Sequence, residues 1–277
     1  MYEAFYGLKE KPFSIQPDPD FLYWAEPHSL AFAMLEYGIM NRAGFTIVTG
    51  DIGCGKTTLV RQLLRQLGSG TTVGLLSNTT PDIDNLLNWI MMALGQPFDQ
   101  PTSVATYKDF EEFLIGEFNA GRRTVLIIDE AHNLGLKALE ELRMLSNINT
   151  DKDQLVQLIL VGQPQLRTML QRPDLIQLAQ RVASDFHLGP LSLEEAIRYI
   201  DHRLIVAGGN APLFTKEACE LIYEASAGVP RTINILCDTA LIYGFSTGSN
   251  RVNSHIVKSM LEDKRKFGIL AATLPPG

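Results

Sequence analysis

The sequence predicts an α/β fold: a five-stranded parallel sheet flanked by helices, followed by a small all-helical C-terminal domain. Three observations carry that reading. The stretch Gly50-Asp51-Ile52-Gly53-Cys54-Gly55-Lys56-Thr57 fits the pattern G-x-x-x-x-G-K-[ST], entered through the apolar run at 45–49 and left through a helical run at 58–64. Five short apolar runs, near positions 45, 72, 124, 155 and 185, alternate with helical segments, which implies parallel strands joined by crossover helices. From Leu191 onward the periodicity is purely helical.

The residue types of the first stretch suit a phosphate. Glycines at 50, 53 and 55 let the backbone curl with successive N–H groups pointing inward, where larger side chains would block the turn. Lys56 is expected along the β and γ phosphates and Thr57 on Mg²⁺. Asp51, Ile52, Cys54 and Thr58 complete the cradle, and the following helix adds the partial positive charge of its N-terminus.

Taken in order, residues 1–44 hold an arm with prolines at 12, 17 and 19, which forbid a regular helix. Its aromatics are expected to pack along the domain surface. A helix over 27–41 is expected to turn Leu30, Met34, Tyr37 and Ile39 inward. A strand at 72–78, helices at 84–94 and 107–120, and the run Thr124-Val125-Leu126-Ile127-Ile128-Asp129-Glu130 follow. An apolar strand closing on Asp-Glu about seventy residues after the glycine loop is the acidic partner such a loop needs. Asp129 is placed to hold Mg²⁺, partly through water, and Glu130 to polarise an attacking water.

Next come a helix at 136–147, a strand at 155–163 ending in Gln163, short helical pieces, and a last strand at 185–188. The C-terminal helices are expected at 193–207, 215–227, 230–245 and 253–264, with Ser192 and Glu195 forming a capping box and Thr215 an N-cap. The domains are therefore 1–44 (arm and helix), 45–189 (core), 190–264 (helical domain) and 265–277 (loose tail).

Composition narrows the class. With 277 residues, 45% hydrophobic and 20% charged, the chain builds a real core. The net charge of −7 argues against a surface that attracts nucleic acid as a whole. No secretory leader and no apolar run of about eighteen residues is present, so a cytoplasmic protein is expected. Cys54, Cys219 and Cys237 give neither a disulfide framework nor a zinc spacing.

Several stretches together resemble the AAA+ ATPases of the ExeA/GspA type, which serve bacterial secretion systems and have cousins beside exosortase and exopolysaccharide genes. They are Phe5-Tyr6-Gly7-Leu8-Lys9-Glu10-Lys11-Pro12-Phe13-Ser14, Pro17-Asp18-Pro19 with Phe21-Leu22-Tyr23, the glycine loop, Asp129-Glu130-Ala131-His132, Leu160-Val161-Gly162-Gln163-Pro164 and Gly228-Val229-Pro230-Arg231. The resemblance spans about residues 1–264. It implies an AAA+ P-loop sheet with a helical lid, ATP and Mg²⁺ as ligands, and a site shared between subunits of a ring or spiral. Gln163 matches the sensor-1 place and Arg231 the sensor-2 place. Asn78 is similar to the residue that holds the catalytic glutamate away from water, with Ser77 and Thr79 as alternatives. Arg181 stands where the family puts its neighbour-facing arginine, with Arg172 as runner-up. For His132 the expectation is a simple polar contact.

Such secretion ATPases continue into a membrane helix and a periplasmic peptidoglycan-binding domain. This sequence holds neither, so it is a cytosolic relative or part of a longer protein, and no cell-wall contact carries over. The functional expectation is an ATP-hydrolysing oligomeric switch in secretion, envelope or exopolysaccharide assembly, cytoplasmic or peripheral at the inner membrane through a protein partner. The alternative is an ATP-dependent DNA-binding transposition regulator that recruits a transposase, using Arg122, Arg123, Lys137, Arg143 and Lys152. A small-molecule kinase on the same loop is a third class, disfavoured by the Asp-Glu pair and the helical lid.

Overall fold

The computed structural model describes residues 1–77, 79–80, 85–98, 102–149, 153–209 and 212–267. A short helix α1 (Glu3–Tyr6) and a 3₁₀ turn (Pro19–Phe21) precede α2 (Glu26–Met40). Then come β1 (Phe45–Gly50), α3 (Lys56–Gln66), β2 (Thr71–Leu76), α4 (Leu86–Ala93), α5 (Ser103–Asn119) and β3 (Arg123–Ile128). A 3₁₀ turn (Ala131–Asn133), α6 (Leu136–Leu145), β4 (Val156–Gly162), α7 (Pro164–Leu170), a 3₁₀ turn (Pro173–Leu175), α8 (Ile176–Ala179) and β5 (Val182–Leu188) follow. The chain closes with α9 (Leu193–Val206), α10 (Lys216–Ser226), α11 (Pro230–Ser246) and α12 (Ser254–Phe267).

Two compact units result. One comprises Ser29–Asp51 and Leu59–Leu188; the other comprises Met1–His28, Ile52–Thr58 and the chain from Gly189 onward.

The first unit is built on a five-stranded sheet of order β2-β3-β4-β1-β5, with every pairing parallel. The three central strands are the ones whose sequences run apolar without alternation. β1 and β4 are buried throughout, and β3 is buried after Arg123, as strands covered on both faces must be. The edge strand β5 alternates in burial instead, and it starts three residues before the apolar signal, where the buried position is the polar Ser184. Phe45, Phe110, Leu126, Ile128, Leu139 and Leu158 belong to one apolar cluster in this unit.

α2 forms where expected but buries a face only partly the expected one. Of the four residues expected inward, Ile39 is buried and Met34 half-buried, but Leu30 and Tyr37 are 48% and 57% exposed, and Ala31, Phe32 and Leu35 make up the rest of the buried face. The small residues Ala31 and Gly38 let the helix approach closely, with Gly38 against Thr46, and side-chain size misled the reading of the pattern. The last carbonyls of α2 are satisfied from the sheet: Gln157 Nε2 donates to Gly38 and Ile39 at 3.1 Å each, and Arg123 Nη1 donates to Ile39 at 3.2 Å.

In the helical unit the N-terminal arm is interior, not a surface strap. Tyr2, Tyr6, Phe13 and Phe21 lie in one core with Ile200, Ile222, Ile233, Leu236, Leu241 and Met260. Arg203 on α9 binds the arm: buried, it donates to the carbonyls of Pro12 and Ser14 and stacks 4.7 Å over the Phe21 ring. The capping box of Ser192 with Glu195 and the Thr215 cap onto Ala218 both form.

This core carries a pH dependence. Burial lowers the pKa of His28 and of His202, so the unfolded chain takes up these protons first. Stability of the helical unit is therefore complete above the ordinary histidine value of 6.5 and is lost as the pH falls below it. Thermal melts between about pH 5 and 8 are expected to show that decline. A doubly substituted His28→Gln, His202→Gln protein should show a flatter profile, and an unchanged slope would contradict the assignment.

Candidate nucleotide site

The glycine loop leaves the carboxyl end of β1 and enters α3 at Lys56. Gly53 and Gly55 have φ of +84° and +97°, left-handed values that glycine adopts without strain. A Cβ on Gly53 would come within 2.5 Å of Arg231 Cβ, and one on Gly55 within 3.1 Å of His28 Nε2. Both positions demand glycine on two counts.

Two loop carbonyls are pinned from outside. The main-chain N–H of Arg231, an orphan donor at the start of α11, donates to the Gly53 carbonyl at 3.1 Å. His28 Nε2 lies 2.9 Å from the Cys54 carbonyl, so that nitrogen carries the donated proton. In a trans peptide the N–H of the next residue points opposite to the carbonyl. Pinning these two carbonyls therefore turns the N–H groups of Cys54 and Gly55 to the other side, as an anion cradle requires.

Sequence reasoning missed His28, which spacing alone does not single out. The Cys54 side chain is fully buried, so the loop presents its backbone there rather than a thiol. Lys56 is 6% exposed, and Asp51 and Ile52 lie at the surface.

The acidic pair lies beyond the end of β3. Because β1, β3 and β4 are parallel, Gly50, Asp129 and Gln163 stand at the same edge of the sheet. Asp129 is 6% exposed and its N–H donates to the Leu76 carbonyl at 2.8 Å. Glu130 has φ +54° and ψ +32°, a left-handed conformation that costs a non-glycine residue about 1–3 kcal/mol. That backbone is held at both ends: Asp129 Oδ1 accepts from the Glu130 N–H at 2.9 Å, and Thr79 Oγ1 donates to the Glu130 carbonyl at 2.7 Å.

Of the three residues considered at the end of β2, Thr79 makes this contact, while Asn78 lies outside the described residues. The imidazole of His132 sits 3.4 Å from Glu130 Oε2 through Nε2, and its Nδ1 accepts from the Gln163 N–H at 3.3 Å.

Arg181 is at the opposite edge. It precedes Val182, which pairs with Phe45, so it stands six residues below Gly50, about 20 Å along the strand at roughly 3.3 Å per residue. Its Nη1 donates to Ser146 Oγ at 3.0 Å. Arg172 is an exposed residue paired with Asp174 at 2.8 Å. Among the described residues, no cluster of three or more His, Cys, Asp or Glu forms a metal cage, and no helix is long and apolar enough to cross a membrane.

Comparison with known proteins agrees with this fold. Residues 39–170 match the AAA domain. That stretch is an AAA domain, the fold of an ATPase. The chain is 42% identical over 253 residues to General secretion pathway protein A of Aeromonas hydrophila, covering 91% of this chain and 46% of that protein. It therefore spans just under half the length of that relative.

The fold is also that of the Aeropyrum pernix ORC2 protein in its ADPNP–ADP complexes, with TM-score 0.61 and 15% identity over 90% of this chain and 72% of that one. The Walker-type ATPase of Pyrococcus abyssi is similar at TM-score 0.63 and 14% identity, over 95% and 78% of the two chains.

Proposed function

We propose that this ATPase hydrolyses ATP in sites completed by a neighbouring copy of itself, and that assembly and turnover switch its grip on a protein partner in secretion, envelope or exopolysaccharide assembly. The observation that carries the shared site is the placement of Arg181. It stands about 20 Å from the edge where its own loop begins, at roughly 3.3 Å per residue, well beyond the length of an arginine side chain. That distance takes it out of reach of its own phosphates and supports a role at another protomer's site. The setting is supported by the likeness to a protein named for general secretion.

Within one site, the N–H groups of Cys54 and Gly55 and the Lys56 ammonium bind the phosphates, and the ORC2 relative's ADPNP and ADP supply the ligand class. Thr57 and Asp129 offer a hydroxyl and a carboxylate. These are hard oxygen donors suited to Mg²⁺, which keeps much of its water and needs no protein cage. Bound there, Mg²⁺ neutralises phosphate charge. Glu130 polarises the attacking water, Gln163 orients it from the end of β4, and Arg231 contacts the nucleotide from the start of α11. Asn78 retains its proposed role of restraining Glu130, beside the Thr79 contact to the Glu130 backbone.

Light scattering without nucleotide, with ADP and with ATP tests the assembly. A larger species with ATP is expected, and a monomer in all three states would sink the proposal. Arg181→Ala is expected to keep ATP binding and lose roughly 10³–10⁵ in turnover. Mixed with Glu130→Gln, which is also inactive but retains its arginine, it should regain activity in composite sites. No recovery on mixing would mean that Arg181 does not act across an interface.

A further inference from the structure

The 3₁₀ turn after β3 places His132 two residues beyond Glu130, with its side chain 11% exposed. The Gln163 main-chain N–H can only donate, so His132 Nδ1 must present its lone pair to it across the 3.3 Å contact. The neutral ring then carries its proton on Nε2, and this is the nitrogen that faces Glu130 Oε2 at 3.4 Å. One imidazole thus joins the backbone at the end of β4 to the carboxylate at the end of β3.

Glu130 needs such a restraint. Asp129 and Thr79 fix its backbone, but neither touches its carboxylate, which is 41% exposed and hangs on a flexible stem. Among the described residues, His132 is the group that meets it. We propose that His132 is a positioning residue that couples Gln163 to Glu130: it senses the β4 end through Nδ1 and aims the carboxylate through Nε2–H. Displacement of Gln163 by a bound phosphate and reorientation of Glu130 then become a single event. A histidine in this tautomer is suited to the task because it accepts on one side and donates on the other. The inference rests on the reading of Glu130 as the group that polarises water.

The test combines a spectroscopic and a kinetic measurement on the full chain. Nitrogen NMR of ¹⁵N-histidine-labelled protein, with the His132 signal assigned by its loss in His132→Phe, should show the Nε2–H tautomer. An Nδ1–H tautomer would overturn the contact. His132→Phe fills the same space without either polar contact. It is expected to lower kcat by roughly 10–100-fold, the cost of a misplaced catalytic group, with KM and nucleotide Kd nearly unchanged.

His132→Gln, whose amide accepts and donates, should recover part of the loss. Wild-type kcat in His132→Phe overturns the proposal, as does a parallel loss of kcat, nucleotide binding and melting temperature. A wild-type protein that binds ATP without turning it over refutes the hydrolysis reading instead, and the tautomer still decides the contact.

Discussion

Lys56→Ala is expected to weaken ATP binding by at least about 100-fold while leaving the fold intact. The ammonium is proposed to bridge the β and γ phosphates, and hydrogen bonds to charged groups contribute about 1.5–3 kcal/mol each. Two of them amount to roughly 3–6 kcal/mol, or roughly 10²–10⁴ in the dissociation constant. Lys56 opens α3, where alanine has the highest helix propensity, so the helix survives the substitution. The loop's shape is set elsewhere, by the carbonyl contacts of Gly53 and Cys54 and by the left-handed glycines. Calorimetry with ATP measures the loss, and circular dichroism and thermal melts without nucleotide check the fold. Undiminished affinity in a folded variant would show that the cradle does not hold the triphosphate as proposed.

The sequence was most informative where burial is two-sided. β1, β3 and β4 announce themselves as mostly apolar runs without alternation because they are the central strands, and their parallel alignment brings Gly50, Asp129 and Gln163 to one edge. The edge strand β5 was half legible, since its burial alternates and the buried Ser184 is polar. The inward face of α2 was misread because close approach there depends on Ala31 and Gly38, which carry almost no hydrophobic signal.

Long-range contacts were invisible for a different reason. His28 and Cys54 are 26 positions apart, and Arg203 meets Pro12 across 191, so no periodicity encodes either pair. The interior arm was missed on the same ground: its prolines state what conformation it avoids, not which surface covers it. For the glycine loop, motif spacing singled out the residues. The structure added what turns its N–H groups inward.

Glu130→Gln is expected to bind ATP with near wild-type affinity and to lose roughly 10²–10⁴ in turnover, the usual contribution of a positioned general base. The substitution spares everything that holds the residue in place. Asp129 and Thr79 bond to its backbone, and a glutamine amide oxygen can still face His132 Nε2. What changes is the carboxylate's basicity, so the effect isolates chemistry from architecture.

The same variant separates assembly from turnover. If ATP binding drives protomers together and hydrolysis releases them, the Glu130→Gln oligomer should persist with ATP while the wild-type oligomer decays as ATP is consumed. Single-turnover assays measure the first effect and time-resolved light scattering the second. Hydrolysis at the wild-type rate would remove Glu130 from the chemistry. A slow variant whose oligomer decays as fast as the wild type would break the link between hydrolysis and release, because no energy from turnover would then be needed to take the assembly apart.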